Sequence, residues 1–207
     1  LEQVGRTYSG AVGCMTEYRM AFMAAAAETI GVLPWREAER IARICLSCTR
    51  AFVVGLGGSA ANASHMASDL RKLAEVRAEC PTDSAAEFSA RINDDGWPEC
   101  LVTWLKARSL APEDLVLVLS VGGGSETTSV PLVRALEYAR GIGATRAAIV
   151  SRDGGLCRAL CSDGLLAFMR IRRDDLVTPF AESAQVLLCH YIANQVRLWR
   201  HAESDSA

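Results

Sequence analysis

Short apolar runs that end in glycine loops constrain the fold of this chain more than any other feature. Residues 51–55 and 115–119 are such runs, and each leads through a loop rich in glycine and serine into a helical pattern. Runs this brief are typical of strands that are buried on both faces of a sheet. Because the order of strand, loop and helix recurs along the chain, the sequence predicts an α/β fold with a parallel sheet.

The remaining periodicity extends this alternation to both ends of the chain. Two more strands are predicted over residues 146–150 and 165–171, and the segment 93–96 is interpreted as a break after a helix. Apolar residues that recur three or four positions apart predict the helices. Besides the helix that follows the first glycine loop, they cover residues 7–30, 35–48, 85–92, 97–110, 130–140, 157–161 and 179–200.

Composition and charge restrict the class of protein. The 207 residues are 50% hydrophobic and 22% charged, which suits one α/β core, so we expect a single domain over residues 1–207. The formal net charge is -2 without a basic cluster, which predicts no nucleic-acid partner. No apolar run is long enough to span a bilayer and no secretion signal is visible, so we expect a cytoplasmic protein without a membrane partner.

The chain has eight cysteines, but they lack the spacing of a disulfide framework. Cys45 and Cys48 form a CxxC pair, which is also found in redox and metal motifs. No second CxxC accompanies it, and the pair falls within a predicted helix. We therefore interpret most of the cysteines as reduced, buried residues that act as small hydrophobic side chains.

The two glycine loops indicate an anion-binding site. Glycine lets backbone N–H groups approach an anion closely, and the dipole of the following helix favours negative charge. Glycines also make tight turns without any ligand, but two loops that both contain serine favour recognition of a phosphate and a polyol. Neither GxGxxG nor GxxxxGK[ST] spacing is present, so no nucleotide cofactor is predicted.

Histidines and carboxylates recur at helical spacing on two predicted helices. His65 and Asp69 are four residues apart, and Glu182 and His190 are eight apart, so each pair shares one face of its helix. If the two helices meet, four groups able to transfer protons or bind a metal converge. A lone histidine is otherwise a hydrogen-bonded core or surface residue, which is our interpretation of His201.

In their order and separation these motifs resemble the phosphoheptose isomerases, a family of sugar-phosphate isomerases with the SIS fold. Residues 52–69 look like the first signature of this family, and residues 91–94 look like the second. Residues 115–125 resemble the second phosphate loop, and residues 178–190 resemble the C-terminal helix. The likeness runs over residues 51–192, with the N-terminal helices also in place.

The resemblance implies a three-layer sandwich with a five-stranded parallel sheet, assembled as a homotetramer with active sites at subunit interfaces. Residues 1–50 would form N-terminal helices used in oligomerisation, and residues 51–200 would form the core. It also implies an aldose–ketose isomerase that acts through an enediol on sedoheptulose 7-phosphate or a related seven- or eight-carbon ketose phosphate. In this reaction a base moves a proton between C1 and C2 while an acid serves the oxygens.

The resemblance also assigns roles to individual residues. Asp69 and His190 match the catalytic carboxylate and imidazole, and we hypothesise that Asp69 is the base and His190 the acid, with the reverse left open. A zinc site of some members corresponds to His65, Asp69, Glu182 and His190. The substrate contacts would come from Gly57, Gly58, Ser59, Asn93, Asp94, Ser120, Val121, Gly122, Ser125 and Glu182.

Four of these positions depart from the usual pattern of the family. Val121 and Gly122 stand where hydroxyl side chains are usual, so the phosphate would depend more on backbone N–H groups and on the loop serines. Asp69 stands where glutamate is usual, and Glu182 stands where glutamine is usual. The added negative charge of Glu182 beside a zinc site would strengthen metal binding or alter the acid–base assignment.

Two other interpretations remain open on the sequence. The first is a non-catalytic SIS protein that senses a sugar phosphate or serves as a scaffold. The second is another SIS isomerase, acting on an amino-sugar phosphate or on an eight-carbon ketose phosphate in antibiotic assembly. Because Asp69 and His190 supply both types of catalytic group, the site favours an enzyme.

Overall fold

Five parallel strands form one sheet at the centre of the molecule. The structure, a computed structural model, describes residues 12–162 and 165–204. The order across the sheet is β2-β1-β3-β4-β5, and every pairing is parallel. The predicted α/β fold is therefore confirmed. The strands are β1 (Ala51–Gly55), β2 (Ala78–Glu79), β3 (Leu115–Ser120), β4 (Thr145–Val150) and β5 (Leu166–Phe168).

Helices cover both faces of the sheet and form the outer layers of the sandwich. Short 3₁₀ turns precede α4, α5 and α8. Among the described residues no helix is both long enough and apolar enough to cross a membrane. The helices are α1 (Val12–Gly31), α2 (Trp35–Ser47), α3 (Gly58–Lys72), α4 (Ala85–Asp95), α5 (Cys100–Ala107), α6 (Val130–Ile142), α7 (Cys157–Leu160) and α8 (Val177–Ser204).

Side chains alternate along each strand and form a separate core on each face of the sheet. On β1, Ala51 and Val53 pack in the core that α2, α3 and α8 cover. Phe52 and Val54 pack in the core that α5, α6 and α7 cover, where the ring of Phe52 meets Trp104 edge-on at 5.6 Å. Because the strands are buried on both faces, each forms a continuous apolar segment in the sequence.

The structure corrects one predicted boundary that bears on the site. The fourth helix starts at a Ser84 cap, whose hydroxyl accepts the N–H of Glu87 at 3.3 Å, and it continues through Asp95. Asn93 and Asp94 therefore lie in the last turn of α4 and not in a loop that breaks it. The helix ends only at Gly96, whose φ of 82° leaves the helical region.

The sequence analysis also differs from the structure at two strands, and one predicted helix lies partly outside the described residues. The sequence analysis missed β2, because its two residues are too few for a periodic signal and are held by pairing with β1. The last strand is shorter than predicted and covers Leu166–Phe168. The first helix was predicted from residue 7, and its segment before Val12 lies outside the described residues.

The cysteines of the CxxC pair are placed as structural residues. Cys45 is fully buried in the core beside α8, and Cys48 directs its thiol to the carbonyl oxygen of Cys45 at 3.6 Å. Burial raises the pKa of the Cys45 thiol well above its usual value and that of Cys48 to about 11. Both thiols stay protonated at neutral pH, which supports their interpretation as small hydrophobic residues.

The loops after β3 and β4 are packed backbone to backbone. Leu156 and Cys157 donate their N–H groups to the carbonyl oxygens of Gly124 and Gly123, both at 3.0 Å. Gly123 has a φ of 72°, and a Cβ added there would collide with the carbonyl oxygen of Gly154. Both the backbone conformation and the close approach therefore require glycine at position 123.

We expect Gly123→Ala to lower the free energy of unfolding by more than about 2 kcal/mol, because strain at a positive φ adds to the collision. Gly141→Ala is the matched control, because Gly141 is helical and has nothing within 4 Å of an added Cβ. The control is expected to be neutral or to gain up to about 1 kcal/mol. Urea denaturation measures both variants, and equal stability of the two would contradict the packing of these loops.

Candidate functional site

A cavity of about 420 Å³ opens at the carboxyl ends of the strands. The chain leaves β1 toward one face of the sheet and leaves β3 toward the other, and such a switch point is where open α/β sheets bind ligands. Part of the cavity wall comes from the two predicted glycine loops. Leu56 and Ser59 follow β1, and Ser120, Val121, Gly122 and Ser125 follow β3.

The serines of the cavity are held so that they can donate to a ligand. The hydroxyl oxygen of Ser120 accepts the N–H of Gly123 at 3.0 Å. That of Ser125 accepts the N–H groups of Thr127 and Thr128 at 3.3 and 3.0 Å. Because each oxygen is used as an acceptor, its proton remains free for an anion. Ser59 adds a buried hydroxyl in the first turn of α3, where the helix dipole also favours negative charge.

Gly57 and Gly58 shape the entry to α3 and do not themselves line the cavity. Gly57 has a φ of 62°, which turns the chain from β1 into the helix. A Cβ added at Gly58 would collide with the carboxylate of Glu182 on α8. This carboxylate is the end of a flexible side chain and could move aside, so the contact shows where Glu182 lies and does not itself require glycine at position 58.

A second polar centre lies further along α3 and α8. The Nδ1 atom of His190 is 2.9 Å from Oδ2 of Asp69, and the Nε2 atom of His65 is 3.4 Å from the same oxygen. The two imidazole rings meet edge to face, with centroids 4.8 Å apart. Two helices therefore bring one carboxylate and two imidazoles together, and we call His65, Asp69 and His190 the triad.

The triad has the donor atoms of a metal site. One potential ligand atom from each residue lies within 4.8 Å of the others. Oδ2 of Asp69 is buried and accepts no hydrogen bond of normal geometry, in spite of the two nearby ring nitrogens. A buried oxygen without a partner calls for an explanation, and a cation between the three groups would satisfy it. Two imidazoles and a carboxylate are a ligand set typical of zinc with one position open.

The contact between α3 and α8 determines which side chains meet. The side-chain amide of Asn62 donates to the backbone oxygen of Glu182 at 2.9 Å and to Oε1 of Gln185 at 3.1 Å. Gln185 is fully buried, so these bonds lie inside the interface. Alanines let the two helices pack closely along the same seam, namely Ala63, Ala67, Ala181 and Ala184.

Glu182 is not brought into the triad within this chain. Its carboxylate lies against Gly58, about two helical turns before His190. Of the four residues predicted as zinc ligands, the structure therefore gathers His65, Asp69 and His190. Glu182 lies between the cavity and the triad.

The triad and the cavity are separate features of the described chain. None of the three residues lines the cavity, and the helical rise from Ser59 to His65 is about 9 Å. Asn93 and Asp94 are also outside it. They are exposed at the end of α4, where the amide of Asn93 donates to Oδ1 of Asp94 at 2.7 Å.

Several cavity residues were missed by the sequence analysis. Arg152, Asp153 and Gly155 come from the loop after β4. This loop follows a predicted strand and carries two glycines, so the rule applied to the first two loops would have found it. Thr178, at the start of α8, and Thr128 and Ser129, before α6, had no comparable signal.

Curated proteins similar to this chain fall into two groups. No family model matches the chain. The lincomycin biosynthesis protein LmbN of Streptomyces lincolnensis is 36% identical in an alignment of 154 residues that covers 66% of this chain and 51% of LmbN. The chain thus spans about half the length of LmbN. The phosphoheptose isomerase of Pelobacter propionicus is 33% identical over 151 residues, 70% of this chain and 73% of that enzyme.

Solved structures agree in fold. Phosphoheptose isomerase GmhA of Neisseria gonorrhoeae superimposes with a TM-score of 0.74 at 21% identity, covering 90% of this chain and 98% of GmhA. The five-stranded parallel sheet and its flanking helices are therefore the fold of the SIS class of sugar-phosphate isomerases. By its sequence, the chain belongs to the phosphoheptose isomerase family.

We expect the purified protein to bind about one Zn²⁺ per chain through the triad. His190→Ala and Asp69→Asn each remove a ligand, and zinc affinity should fall at least as far as the roughly 10- to 100-fold that loss of a supporting residue costs. His201→Ala is the control, because His201 lies near the end of α8, away from the triad. Elemental analysis after dialysis measures the metal, and an unchanged zinc content in both triad variants would argue against this site.

Proposed function

We propose that this protein interconverts a ketose phosphate and its aldose phosphate. The proposed substrate is sedoheptulose 7-phosphate or a related seven- or eight-carbon ketose phosphate. Two observations on the same pair of helices support the proposal. A hydroxyl-lined cavity lies at the N-terminus of α3, and further along this helix Oδ2 of Asp69 is 2.9 Å from Nδ1 of His190 on α8. Membership of the phosphoheptose isomerase family supports the class of substrate. The likeness to LmbN, named for lincomycin biosynthesis, supports the eight-carbon alternative in antibiotic assembly.

The chemistry needs one proton acceptor and one proton donor. Starting from the ketose, removal of a C1 proton and protonation of the C2 oxygen give an enediol. Return of a proton to C2 and loss of the O1 proton then give the aldose. We propose that the carboxylate of Asp69 moves the carbon-bound proton and that the imidazole of His190 serves the oxygens. Their separation of 2.9 Å places the proposed base and the proposed acid at the same point between α3 and α8.

The triad is also the proposed zinc site. His65, Asp69 and His190 would hold the ion, which when bound would polarise the substrate carbonyl. The protein residues then hold the sugar in place and carry the protons. Bound zinc would match the negative charge of Asp69, whose Oδ2 atom is buried beside the two histidines.

The proposed pose joins the two polar features. The phosphate lies in the cavity against the loop after β3. The opposite end of the sugar, which contains C1 and C2, extends along α3 toward the triad. Glu182 lies between them and is proposed to contact sugar hydroxyls. Gly57 and Gly58 are proposed to present their backbone to the substrate. Asn93 and Asp94 are exposed and do not line the cavity, so we propose that they reach the site of an adjacent subunit.

A homotetramer is proposed, with the N-terminal helices in the subunit contacts. Large apolar side chains are exposed along α1 and on α8, and such a concentration marks an interaction surface. These residues are Met15, Tyr18, Met20, Met23, Ile30, Leu187 and Leu198.

For this interface we expect sedimentation velocity to show tetramers for the wild type and smaller species for Met20→Glu combined with Met23→Glu. Both methionines are 58% exposed in the single chain, so the charges cost little unless another subunit covers them. Gly141→Glu places a charge on open surface of α6 and should leave the tetramer intact. Tetramers that survive the double substitution would show that α1 is not at the interface.

For catalysis we expect Asp69→Asn and His190→Ala to lower kcat by roughly 10²- to 10⁴-fold, the range for loss of a general acid or base. His201→Ala should turn over at the wild-type rate. Aldose formation from sedoheptulose 7-phosphate and from an octulose 8-phosphate can be followed by NMR, with and without chelator.

Two outcomes would change the conclusion. Wild-type turnover in both triad variants would remove the proposed mechanism. Tight binding of a sugar phosphate without any turnover by the wild type would favour the non-catalytic SIS protein, an alternative that the separation of the triad from the cavity supports.

A further inference from the structure

The cavity has one cationic side chain among the described residues that line it. This is Arg152, the second residue of the loop that follows β4. The other wall residues offer backbone groups, hydroxyls and apolar surface, together with the carboxylate of Asp153. Arg152 is therefore the one side chain among these described residues that could neutralise a bound dianion, and the sequence analysis gave it no role.

The backbone of Arg152 is held in a conformation that does not favour arginine. Its φ is 56°, in the left-handed region where residues other than glycine are uncommon. The N–H of Gly154 closes the turn on the carbonyl oxygen of Ser151 at 3.0 Å. Ser151 is itself tied to the carbonyl oxygen of Val121 by its N–H at 3.0 Å and by its hydroxyl at 2.9 Å. Glycine would suit this turn better, so the turn alone does not account for an arginine at this position.

The side chain of Arg152 lies beside the loop after β3. Its Cδ is 3.7 Å from the point where a Cβ on Gly122 would lie. This is an ordinary van der Waals separation, so the stem of Arg152 lies directly beside the loop after β3.

The guanidinium of Arg152 has no partner in the part of the chain that the structure describes. The neighbouring carboxylate of Asp153 accepts the N–H of Gly155 at 3.1 Å and so belongs to the turn. Arg158 donates to the backbone oxygen of Asp153 at 3.4 Å and stacks on Phe168, so it is directed elsewhere. An arginine without a partner at the wall of an anion cavity can form paired hydrogen bonds with a phosphate group.

We infer that Arg152 binds the phosphate group of the substrate and supplies the positive charge of the cavity. The inference rests on the proposed function only in that the phosphate belongs to a sugar. Backbone N–H groups and serine hydroxyls are neutral donors, whereas guanidinium adds charge and two parallel bonds to the phosphate oxygens. The group that recognises phosphate thus comes from the third loop, in addition to the two glycine loops.

The test uses Arg152→Gly, because glycine removes the side chain and also relieves the left-handed backbone. We expect this variant to unfold at the same temperature as the wild type or higher. Its affinity for inorganic phosphate, measured by calorimetry, should fall roughly 10- to 100-fold, as for loss of a charged hydrogen-bond donor. Its KM for sedoheptulose 7-phosphate should rise by a similar factor, with a smaller change in kcat.

Two further variants serve as controls. Arg152→Gln keeps most of the side chain, removes the charge and should bind phosphate as weakly as Arg152→Gly. Arg140→Gln makes the same change of charge at an exposed position at the end of α6, away from the cavity, and should bind phosphate like the wild type.

The outcomes separate this inference from the proposed function. Wild-type phosphate affinity in Arg152→Gly or Arg152→Gln, or no phosphate binding by the wild type, would overturn the inference. Phosphate binding that depends on Arg152 in a protein that isomerises no sugar phosphate would support the inference and end the proposed function. If Arg152→Gly were unstable but Arg152→Gln were stable and bound phosphate normally, Arg152 would have only a structural role.

Discussion

The packing of α3 against α8 is the contact on which the polar site depends. Asn62 joins the helices through the backbone of Glu182, 120 residues further along the chain, and through Gln185. This contact places His190 beside Asp69, and it places the start of α8 at the cavity. Partly buried hydrogen bonds that join two packed helices oppose sliding and rotation, so both features are fixed together.

The cavity arises from a different constraint, the topology of the sheet. The connections after β1 and β3 go to opposite faces and leave a gap at the carboxyl edge, where N–H groups and serine hydroxyls collect. Two of its walls, the loops after β3 and β4, are in backbone contact, and this close approach requires glycine. A rigid neutral cradle of this kind suits a phosphate, and Arg152 adds charge at its wall.

Sequence reasoning was most accurate where a signal is local. The apolar runs and glycine loops predicted four of the five strands, since burial on both faces leaves a continuous apolar segment. It missed β2, because this strand has only two residues and is defined by its pairing with β1. It also placed Asn93 and Asp94 in a break, because Asn-Asp-Asp-Gly is typical of turns, whereas the helix continues to Gly96. The spacing of Glu182 and His190 suggested one shared site, but only His190 reaches Asp69.

The sequence by itself determined the α/β class, the two glycine loops and the helix faces that carry the triad, because periodicity and glycine position are local properties. The tertiary structure alone decided which faces meet and at what distance. It brought His65, Asp69 and His190 together and placed the carboxylate of Glu182 beside Gly58, outside this triad. It also placed Arg152 at the wall of the cavity. These outcomes depend on how closely two helices approach, on their rotation about their own axes and on the contacts between loops from separate strands. The spacing of residues along the chain determines none of these.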